Sequence, residues 1–396
     1  MNENLVTISS LTNRDFCKSQ FVLRPNSLKK SVNYFINNFT GNCLYAVKTN
    51  SDVNILKIIY NTGIKFFDVA SLEEVNLISG LFDDAQIYFM HPIKSRFAIR
   101  ESYFKYNVRH FSLDSMDELQ KILEETNFAK DLYLHVRLAI PNNFAEISLS
   151  EKFGVNLQDA PNLIRKVSKY ALKFGICFHV GSQSMHPDSY LIAIRTAADV
   201  IKNSGLTPHF FNVGGGFPSI YPGLIPTDLR NYFISIDNEF KKIKGHESME
   251  LLAEPGRALV AESMSLIVRV ELRKGKNLYI NDGTYGSLFD AGIPEFVFPT
   301  KLISDNKIHT TDLMPFSFYG PTCDSLDYMK GPFYLPNNIA EGDLIEIGQI
   351  GAYGAAMSSK FNGFTSSENM IYVSDEPLMT MYNDNLVSDK LEIIAA

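Results

Sequence analysis

Polar side chains capable of chemistry stand directly after short apolar runs of the sequence. Such runs are typical of strands buried on both faces of a parallel sheet, where an unpaired charge costs several kcal/mol. Any one of these residues could be a salt-bridged core residue, but several at equivalent positions favour a functional site. The residues in these positions are Lys48, Asp68, Arg137, His179, the run Gly214-Gly215-Gly216, and Glu254.

Lys48 ends the run Leu44-Tyr45-Ala46-Val47-Lys48. A solvated lysine at the end of a strand is the plain structural interpretation. The functional interpretation is an amine whose pKa is lowered, so that its neutral form can attack an aldehyde. For this residue taken alone, both interpretations stand.

A glycine run and a Glu-Pro-Gly-Arg run are candidates for a phosphate site. The backbone N–H groups of Gly214-Gly215-Gly216 can converge on an anion, although a tight turn gives the same pattern. In Glu254-Pro255-Gly256-Arg257 the guanidinium can fork onto a phosphate, while the carboxylate can hold a ring nitrogen protonated. A local ion pair is the alternative for the second run.

His179-Val180-Gly181-Ser182 adds a planar ring and a hydroxyl at the end of another apolar run. A lone histidine after a strand is more often structural than catalytic. Beside an aromatic cofactor, however, the His179 ring is expected to stack on it, and Ser182 to contact its phosphate.

Eight apolar runs alternate with amphipathic stretches between about residues 40 and 255, which predicts a parallel (β/α)8 TIM barrel. Because the carboxyl ends of barrel strands form one rim, the residues above would share one site. A doubly wound open sheet is the alternative. The amphipathic stretches include Leu72–Gly80, Ser115–Glu125 and Asp159–Phe174. The predicted strands are Cys43–Val47, Lys65–Ala70, Gln86–Met90, Val108–Leu113, Asp131–Ile140, Ile176–Val180, His209–Val213 and Met249–Ala253.

After about residue 260 the helical periods thin out, which predicts a second, mostly β domain. We expect a barrel over residues 24–263, and a β domain from residues 1–23 and 264–396. A polar loop that begins at Pro141-Asn142-Asn143 is a candidate mobile lid. The strands predicted for the β domain are Val6–Ile8, Gln20–Leu23, Ser265–Val270, Asn277–Ile280, Lys307–Thr311 and Asp343–Ile347.

The composition predicts a globular cytoplasmic protein. A net charge of -7 argues against nucleic acid or an anionic membrane as the main partner. No secretory signal is recognised in the first residues, and no apolar stretch approaches the roughly 20 residues that a membrane helix needs. The four cysteines show no CxxC spacing, so we expect neither a disulfide framework nor a metal site.

These motifs together resemble the pyridoxal-phosphate decarboxylases of the ornithine, lysine and diaminopimelate type, which have the alanine-racemase fold and are closest here to the ornithine enzymes. The matches follow the family order over residues 45 to 354. They are Tyr45-Ala46-Val47-Lys48, Phe67-Asp68-Val69-Ala70-Ser71, His179-Val180-Gly181-Ser182, Gly214-Gly215-Gly216-Phe217-Pro218, Ala253-Glu254-Pro255-Gly256-Arg257, Asn281-Asp282-Gly283-Thr284-Tyr285-Gly286-Ser287, Gly320-Pro321-Thr322-Cys323-Asp324 and Gly351-Ala352-Tyr353-Gly354.

The resemblance implies that pyridoxal 5'-phosphate is the cofactor. Lys48 would bond to its aldehyde, His179 would stack on its ring, and Glu254 would pair with the ring nitrogen. Asp68 and Arg137 would support Lys48 and the edge of the cofactor. The other cofactor-binding residues implied, mostly around the phosphate, are Ser182, Gly215, Gly216, Gly256, Arg257 and Tyr353.

The resemblance also implies a homodimer with shared active sites, in which Cys323 reaches the partner's barrel and protonates Cα of the substrate. Asp324 would receive a distal ammonium, since a carboxylate gains a charge-assisted hydrogen bond from it. Relatives have a second acidic residue that contacts the substrate. Its equivalent in this sequence is not fixed by the motifs, and Asp290 and Glu295 are both candidates.

The implied reaction is decarboxylation of L-ornithine to putrescine in polyamine biosynthesis. Lysine differs from ornithine by one methylene group, which allows a pocket a discrimination of only about 1–3 kcal/mol. Decarboxylation of lysine, or of both amino acids, therefore stays open. An enzyme acting on a carboxylated polyamine, a racemase of the same fold and a catalytically dead regulatory homologue are further alternatives. The presence of Lys48, Glu254, Arg257 and Cys323 argues against the last.

Overall fold

A computed structural model describes residues 5–12, 16–141, 144–148, 152–303 and 310–382 of the chain. Asn142 and Asn143 of the predicted lid, and residues 307–309 of the predicted strand Lys307–Thr311, lie outside these residues. In this part of the chain no helix has the length and apolar character required to cross a membrane.

Eight parallel strands close into a barrel in the order β10-β11-β2-β3-β4-β5-β6-β8, so the TIM barrel is confirmed and the open-sheet alternative is wrong. The observed strands coincide with the predicted runs to within a few residues. They are β2 (Asn42–Ala46), β3 (Phe66–Val69), β4 (Gln86–Phe89), β5 (His110–Leu113), β6 (Tyr133–Arg137), β8 (Lys173–Cys177), β10 (Phe210–Asn212) and β11 (Glu250–Ala253).

Helices follow the strands, and several begin at an N-cap side chain. Asp52, Ser71, Ser95 and Ser115 each accept backbone N–H groups from the first turn that follows. The helices are α1 (Pro25–Asn38), α2 (Val53–Thr62), α3 (Leu72–Leu81), α4 (Arg96–Phe104), α5 (Met116–Glu125), α6 (Ala160–Val167), α7 (Asp188–Ser204), α8 (Leu229–Phe240), α9 (Arg257–Val260) and α10 (Phe289–Gly292).

One predicted helical stretch is wrong in its second half. The stretch Asp159–Phe174 divides into α6, which ends at Val167, a short turn, and β8, which begins at Lys173. The turn is held by the N–H of Ala171 donating to Val167 O, at 3.1 Å. Pairing of β8 with β6 and β10 outweighs the local helical period there.

The second domain is a mixed sheet in which β12 pairs with β1, β13 and β17. The predicted strands Gln20–Leu23 and Asn277–Ile280 are observed with those bounds, while Val6 forms a single bridge with Val373. Thr310 and Thr311 are not in a strand. The strands are β1 (Gln20–Leu23), β12 (Met264–Lys274), β13 (Asn277–Ile280), β14 (Thr300–Ile303), β15 (Leu313–Tyr319), β16 (Tyr328–Pro336), β17 (Leu344–Ile347) and β18 (Ile371–Tyr372), and a separate pair is β7 (Ala145–Ile147) with β9 (Ser182–Ser184).

Candidate active site

A cavity of about 530 Å³ opens at the carboxyl ends of the barrel strands, and we call it the rim cavity. This volume is within the range of small-molecule sites. The residues of the predicted site that line it are Lys48, Asp68, Arg137, His179, Ser182, Glu254 and Tyr353. The structure therefore brings together on one rim side chains that are up to about 300 residues apart in sequence.

Lys48 follows β2 in a short 3-10 turn, and its side chain is 43% exposed. Its Nζ lies 3.1 Å from Oδ2 of the buried Asp68, at the end of the neighbouring strand β3. Burial acts to lower the pKa of Lys48, but electrostatic interactions with Asp68, Tyr353 and Glu254 outweigh it, so the pKa lies above its ordinary value. The lowered pKa predicted from the sequence is therefore wrong for the cofactor-free chain.

Glu254 follows β11 and is 4% exposed. Its Oε1 accepts a hydrogen bond from Nδ2 of Asn212 at 2.7 Å, and Oδ1 of Asn212 accepts the N–H of Gly214 at 2.8 Å. Asn212 thus ties the carboxylate to the start of the glycine run. Burial, followed by the charge of Asp68, raises the pKa of Glu254 to about 7.

His179 stands after β8 with its ring half-buried. Its Nδ1 accepts the N–H of Gly181 at 3.0 Å. Burial, with the positive charges of Arg137 and Lys48, holds the pKa of His179 well below its ordinary value. A neutral ring fixed in this way can stack on a planar ligand without adding charge.

Arg257 is buried at the start of α9 and does not itself line the rim cavity, but it contacts Ser182, which does. Its Nη1 donates to Tyr221 Oη at 2.8 Å and to Asp290 Oδ2 at 3.0 Å, and its Nη2 lies 3.4 Å from Ser182 Oγ. Its Nε has no hydrogen-bond partner among the described residues. A buried guanidinium with a spare donor is the kind of group that binds a phosphate oxygen.

Two glycines are required by close approach of neighbouring groups. Gly216 has φ +109°, and a Cβ there would lie 2.4 Å from Gly181 O. A Cβ at Gly256 would lie 2.1 Å from Thr49 Oγ1. A side chain at position 216 would displace the backbone at Gly181, and one at position 256 would displace the side chain of Thr49.

Tyr353 comes from the β domain and reaches the rim cavity. Its N–H donates to Thr49 O at 2.9 Å, and its ring centroid lies 4.9 Å from the guanidinium carbon of Arg257. Its φ of +64° is unusual for a tyrosine, which indicates that the contacts around it impose its position. The two domains therefore meet at the predicted phosphate site.

Cys323 and Asp324 do not line the rim cavity of their own chain. Cys323 is exposed and not in a disulfide, and Asp324 Oδ2 accepts a hydrogen bond from Tyr285 Oη at 2.5 Å.

The two candidates for the second acidic substrate contact lie elsewhere. Asp290 is buried against Arg257, and the exposed Glu295 lies 3.7 Å from Lys330. Neither of these two candidates lines the rim cavity.

Some residues of the site were missed by the sequence reasoning. His91 follows β4 at the rim, so the rule that identified Lys48 and Asp68 would have found it. Lys152 and Phe153 line the cavity from the region after β6, and only their position in space reveals them. Asn212 and Tyr221 were also missed, because they act through Glu254 and Arg257.

The donor set fits pyridoxal phosphate. The amine of Lys48 opens into the cavity, and the buried carboxylate of Glu254 lines it from the end of the neighbouring strand β11. The buried guanidinium of Arg257, whose Nε is unpartnered among the described residues, lies 3.4 Å from the hydroxyl of Ser182, which also lines the cavity. These are the groups that an aldehyde, a pyridine nitrogen and a phosphate require.

Comparison with known proteins agrees with this chemistry. The sequence model of the family described as "Pyridoxal-dependent decarboxylase, pyridoxal binding domain" matches residues 25–261. The ornithine decarboxylase of Candida albicans is 31% identical over 378 residues, which is 83% of this chain and 78% of that protein. The lysine/ornithine decarboxylase of Selenomonas ruminantium is 29% identical over 343 residues, or 84% of both chains.

Solved structures give the same result. The arginine decarboxylase of Paramecium bursaria Chlorella virus bound to agmatine superposes with a TM-score of 0.80 at 26% identity, covering 92% of this chain and 98% of that one. The lysine/ornithine decarboxylase of Vibrio vulnificus complexed with cadaverine has a TM-score of 0.77 at 28% identity, over 93% and 97%. The chain is therefore a member of the pyridoxal-phosphate-dependent decarboxylase family, and it is an enzyme of that class.

Proposed function

We propose that the protein converts L-ornithine to putrescine and CO2, as a step of polyamine biosynthesis in the cytoplasm. The observation that carries this proposal is the amine of Lys48 in the rim cavity, beside Asp68 and close to the buried Glu254. The substrate assignment depends on Asp324, whose carboxylate suits a bare terminal ammonium.

Each group of the rim has one task in this proposal. Lys48 would hold the cofactor covalently, Glu254 would keep its ring nitrogen protonated, and His179 would cover one face of the ring. The groups that would bind the phosphate or support the cofactor's edge are Asp68, Arg137, Ser182, Gly215, Gly216, Gly256, Arg257 and Tyr353. When bound, the cofactor supplies an electron sink for the bond that breaks at Cα.

Cys323 would return a proton to Cα, and Asp324 would fix the distal ammonium of the substrate. Since these residues are outside the rim cavity of their own chain, we infer a homodimer in which each β domain completes the partner's site. The exposure of Leu326 (73%), beside them in sequence, supports burial of this region by a second copy.

Asp290 is now the weaker candidate for the second acidic contact, because its carboxylate already pairs with Arg257. Glu295 is exposed, so a partner's cavity could receive it. We keep Glu295 as the candidate, with Asp290 as a support of the phosphate ligand Arg257.

Lysine or dual lysine/ornithine decarboxylation is the second candidate, because relatives with these names match at similar identity. A carboxylated polyamine is a further candidate substrate. A dead regulatory homologue is disfavoured by the complete set of rim groups.

A substrate panel tests the proposal. Purified protein with added pyridoxal phosphate would be given ornithine, lysine, arginine and diaminopimelate, and kcat/KM would be measured by CO2 release. We expect the highest value for ornithine. A higher value for lysine would replace the substrate, and no CO2 from any amino acid would refute the function.

A further inference from the structure

The Asn362 turn, residues 361–364, carries none of the roles proposed above. Phe364 donates its N–H to Phe361 O at 3.2 Å, and the two central residues, Asn362 and Gly363, have φ of +52° and +81°. Two left-handed central residues define a type I′ turn, for which Asn-Gly is a preferred pair. The local sequence therefore fixes the shape of this turn.

The turn is fastened to the loop that contains Tyr285. The N–H and the Oγ of Ser359 both donate to Tyr285 O, at 2.8 and 2.9 Å. The rings of Tyr285 and Phe361 pack with their centroids 4.9 Å apart. The turn therefore has a fixed position against the loop whose tyrosine hydroxyl holds Asp324.

We define the Cys323 loop as residues 320–327. Its base is held by the buried carboxylate of Asp327, which accepts the N–H and the Oγ1 hydroxyl of Thr322 at 3.0 and 2.7 Å. Cys323 itself donates its N–H to Oδ1 of Asn362 at 3.1 Å. Within the described part of the chain, Asn362 is the residue that hydrogen-bonds to Cys323.

We propose that Asn362 is a positioning residue for the proton transfer that Cys323 performs. Only the Cβ carbon separates Sγ of Cys323 from the backbone. A fixed backbone amide of Cys323 therefore restricts the positions that Sγ can reach. A donor misplaced by about 1 Å can slow a step by about 10²-fold. This inference rests on the proposed function, because it assumes that Cys323 protonates Cα.

Two substitutions at position 362 separate the hydrogen bond from the turn. Asn362→Gly removes the acceptor and keeps the left-handed backbone at no steric cost. Asn362→Asp keeps an oxygen acceptor and tolerates the same conformation. We expect the glycine variant to lose about 5- to 10-fold in diamine formation, the effect of one hydrogen bond, and the aspartate variant to recover most of it.

The readout specific to positioning is the product. Delivery of the proton to Cα gives the diamine, whereas delivery to the cofactor followed by hydrolysis gives an amino aldehyde and the aminated cofactor. Cys323→Ala, which lacks the thiol, should raise the aldehyde fraction of the product. Asn362→Gly should raise the same fraction to a smaller extent, with an unchanged melting temperature. A lower kcat with an unchanged aldehyde fraction would overturn the inference and leave Asn362 a structural residue.

A second readout requires no turnover. Hydrogen exchange of the Cys323 amide, measured by mass spectrometry on the cofactor-free protein, should accelerate in Asn362→Gly and return in Asn362→Asp. Equal exchange rates in the wild type and Asn362→Gly would overturn the inference by showing that the bond is not formed.

Asn338 provides a matched control, because its Oδ1 accepts the N–H of Thr310 at 3.0 Å in another exposed loop of the β domain. Asn338→Gly should change neither the product ratio nor the exchange at Cys323. Loss of the proposed function would be seen separately, as a wild type that decarboxylates no amino acid of the panel.

Discussion

The barrel rim and the Cys323 loop both carry side chains that we assign to chemistry, but only those of the rim line the rim cavity of their own chain. At the rim, Lys48, Asp68 and Glu254 line one cavity, and their charges act on each other within a single chain. The Cys323 loop is equally well fastened, through Asp327 and Asn362, yet its thiol is exposed and does not line that cavity.

In the proposed dimer, a residue that its own chain holds firmly, such as Cys323, still needs a second chain to form its site. A cofactor needs its ligands in one preorganised cluster, which neighbouring strands of a barrel supply. A proton donor needs only to arrive at the correct point, and a loop on a second domain can deliver it across an interface. The experiments below test whether this division between the two regions is real.

The largest effect is expected for Lys48→Ala. Loss of the amine that bonds to the cofactor should lower kcat/KM by at least about 10³-fold, as for other groups that act directly in the chemistry. Borohydride treatment of the wild type should fix the cofactor on Lys48, as mapped by peptide mass spectrometry.

Lys173→Ala is the matched control for this experiment, since Lys173 begins a barrel strand at the end opposite the rim. It should keep normal activity. Labelling of another lysine, or full activity in Lys48→Ala, would contradict the role given to the rim.

Mixing two variants that are each defective in diamine formation tests the shared site. Lys48→Ala lacks the rim amine, and Cys323→Ala lacks the thiol. If each site takes its amine from one chain and its thiol from the other, a dimer with one chain of each variant has one intact site. Random exchange at equal concentrations should restore about one quarter of wild-type diamine formation. No recovery after demonstrated subunit exchange would mean that each chain builds its own site.

Glu254→Gln should lower kcat by about 10²-fold, the size typical of losing one electrostatic contact to developing charge. The amide keeps the volume and the contact with Asn212 but cannot hold a ring nitrogen protonated. Steady-state kinetics and the visible spectrum of the bound cofactor measure the effect. A variant with unchanged kcat would remove Glu254 from the chemistry.

Glu262 gives the matched comparison and the smallest effect on activity. It is as buried as Glu254 but accepts the N–H of Met381 at 3.2 Å, away from the rim cavity. Burial raises its pKa from 4.5 to about 8. Glu262→Gln should therefore leave kcat unchanged.

The same residue predicts a pH dependence of stability. Between pH 4.5 and about 8, the folded protein holds the Glu262 proton and the unfolded chain has released it. The free energy of unfolding should then fall as the pH rises through this range, by up to about 1.4 kcal/mol per unit. Urea titrations at several pH values should show a smaller slope in Glu262→Gln, and an identical slope would contradict the assignment.

Much of the fold was predictable, because parallel strands buried on both faces are encoded by short, nearly continuous apolar runs. Short apolar runs with a polar residue at the end predicted the barrel strands to within three residues, and β3 and β4 to within one. The β domain was harder: β14, β15, β16 and β18 were not predicted. Strands of such mixed sheets are partly exposed, and β14 and β18 pair with strands that are distant in sequence.

The site divides in the same way. The rim ligands could be named from their positions after strands, together with motifs that resemble a known family. The sequence does not predict the pairing of Arg257 with Asp290 or the contact between Asn362 and Cys323, because each joins residues more than 30 positions apart. The lid predicted at Pro141-Asn142-Asn143 and the domain bounds stay predictions.

The sequence by itself determined which residues stand at the ends of buried strands, and so which groups can meet at one rim, because strand burial and direction are written in local patterns. The tertiary structure decided how those groups behave. The pKa of Lys48 rises rather than falls because Asp68 lies 3.1 Å away. Cys323 lies outside the cavity, although Tyr353 of the same domain lines it. Charge interactions and access depend on distances through space, which no local pattern contains.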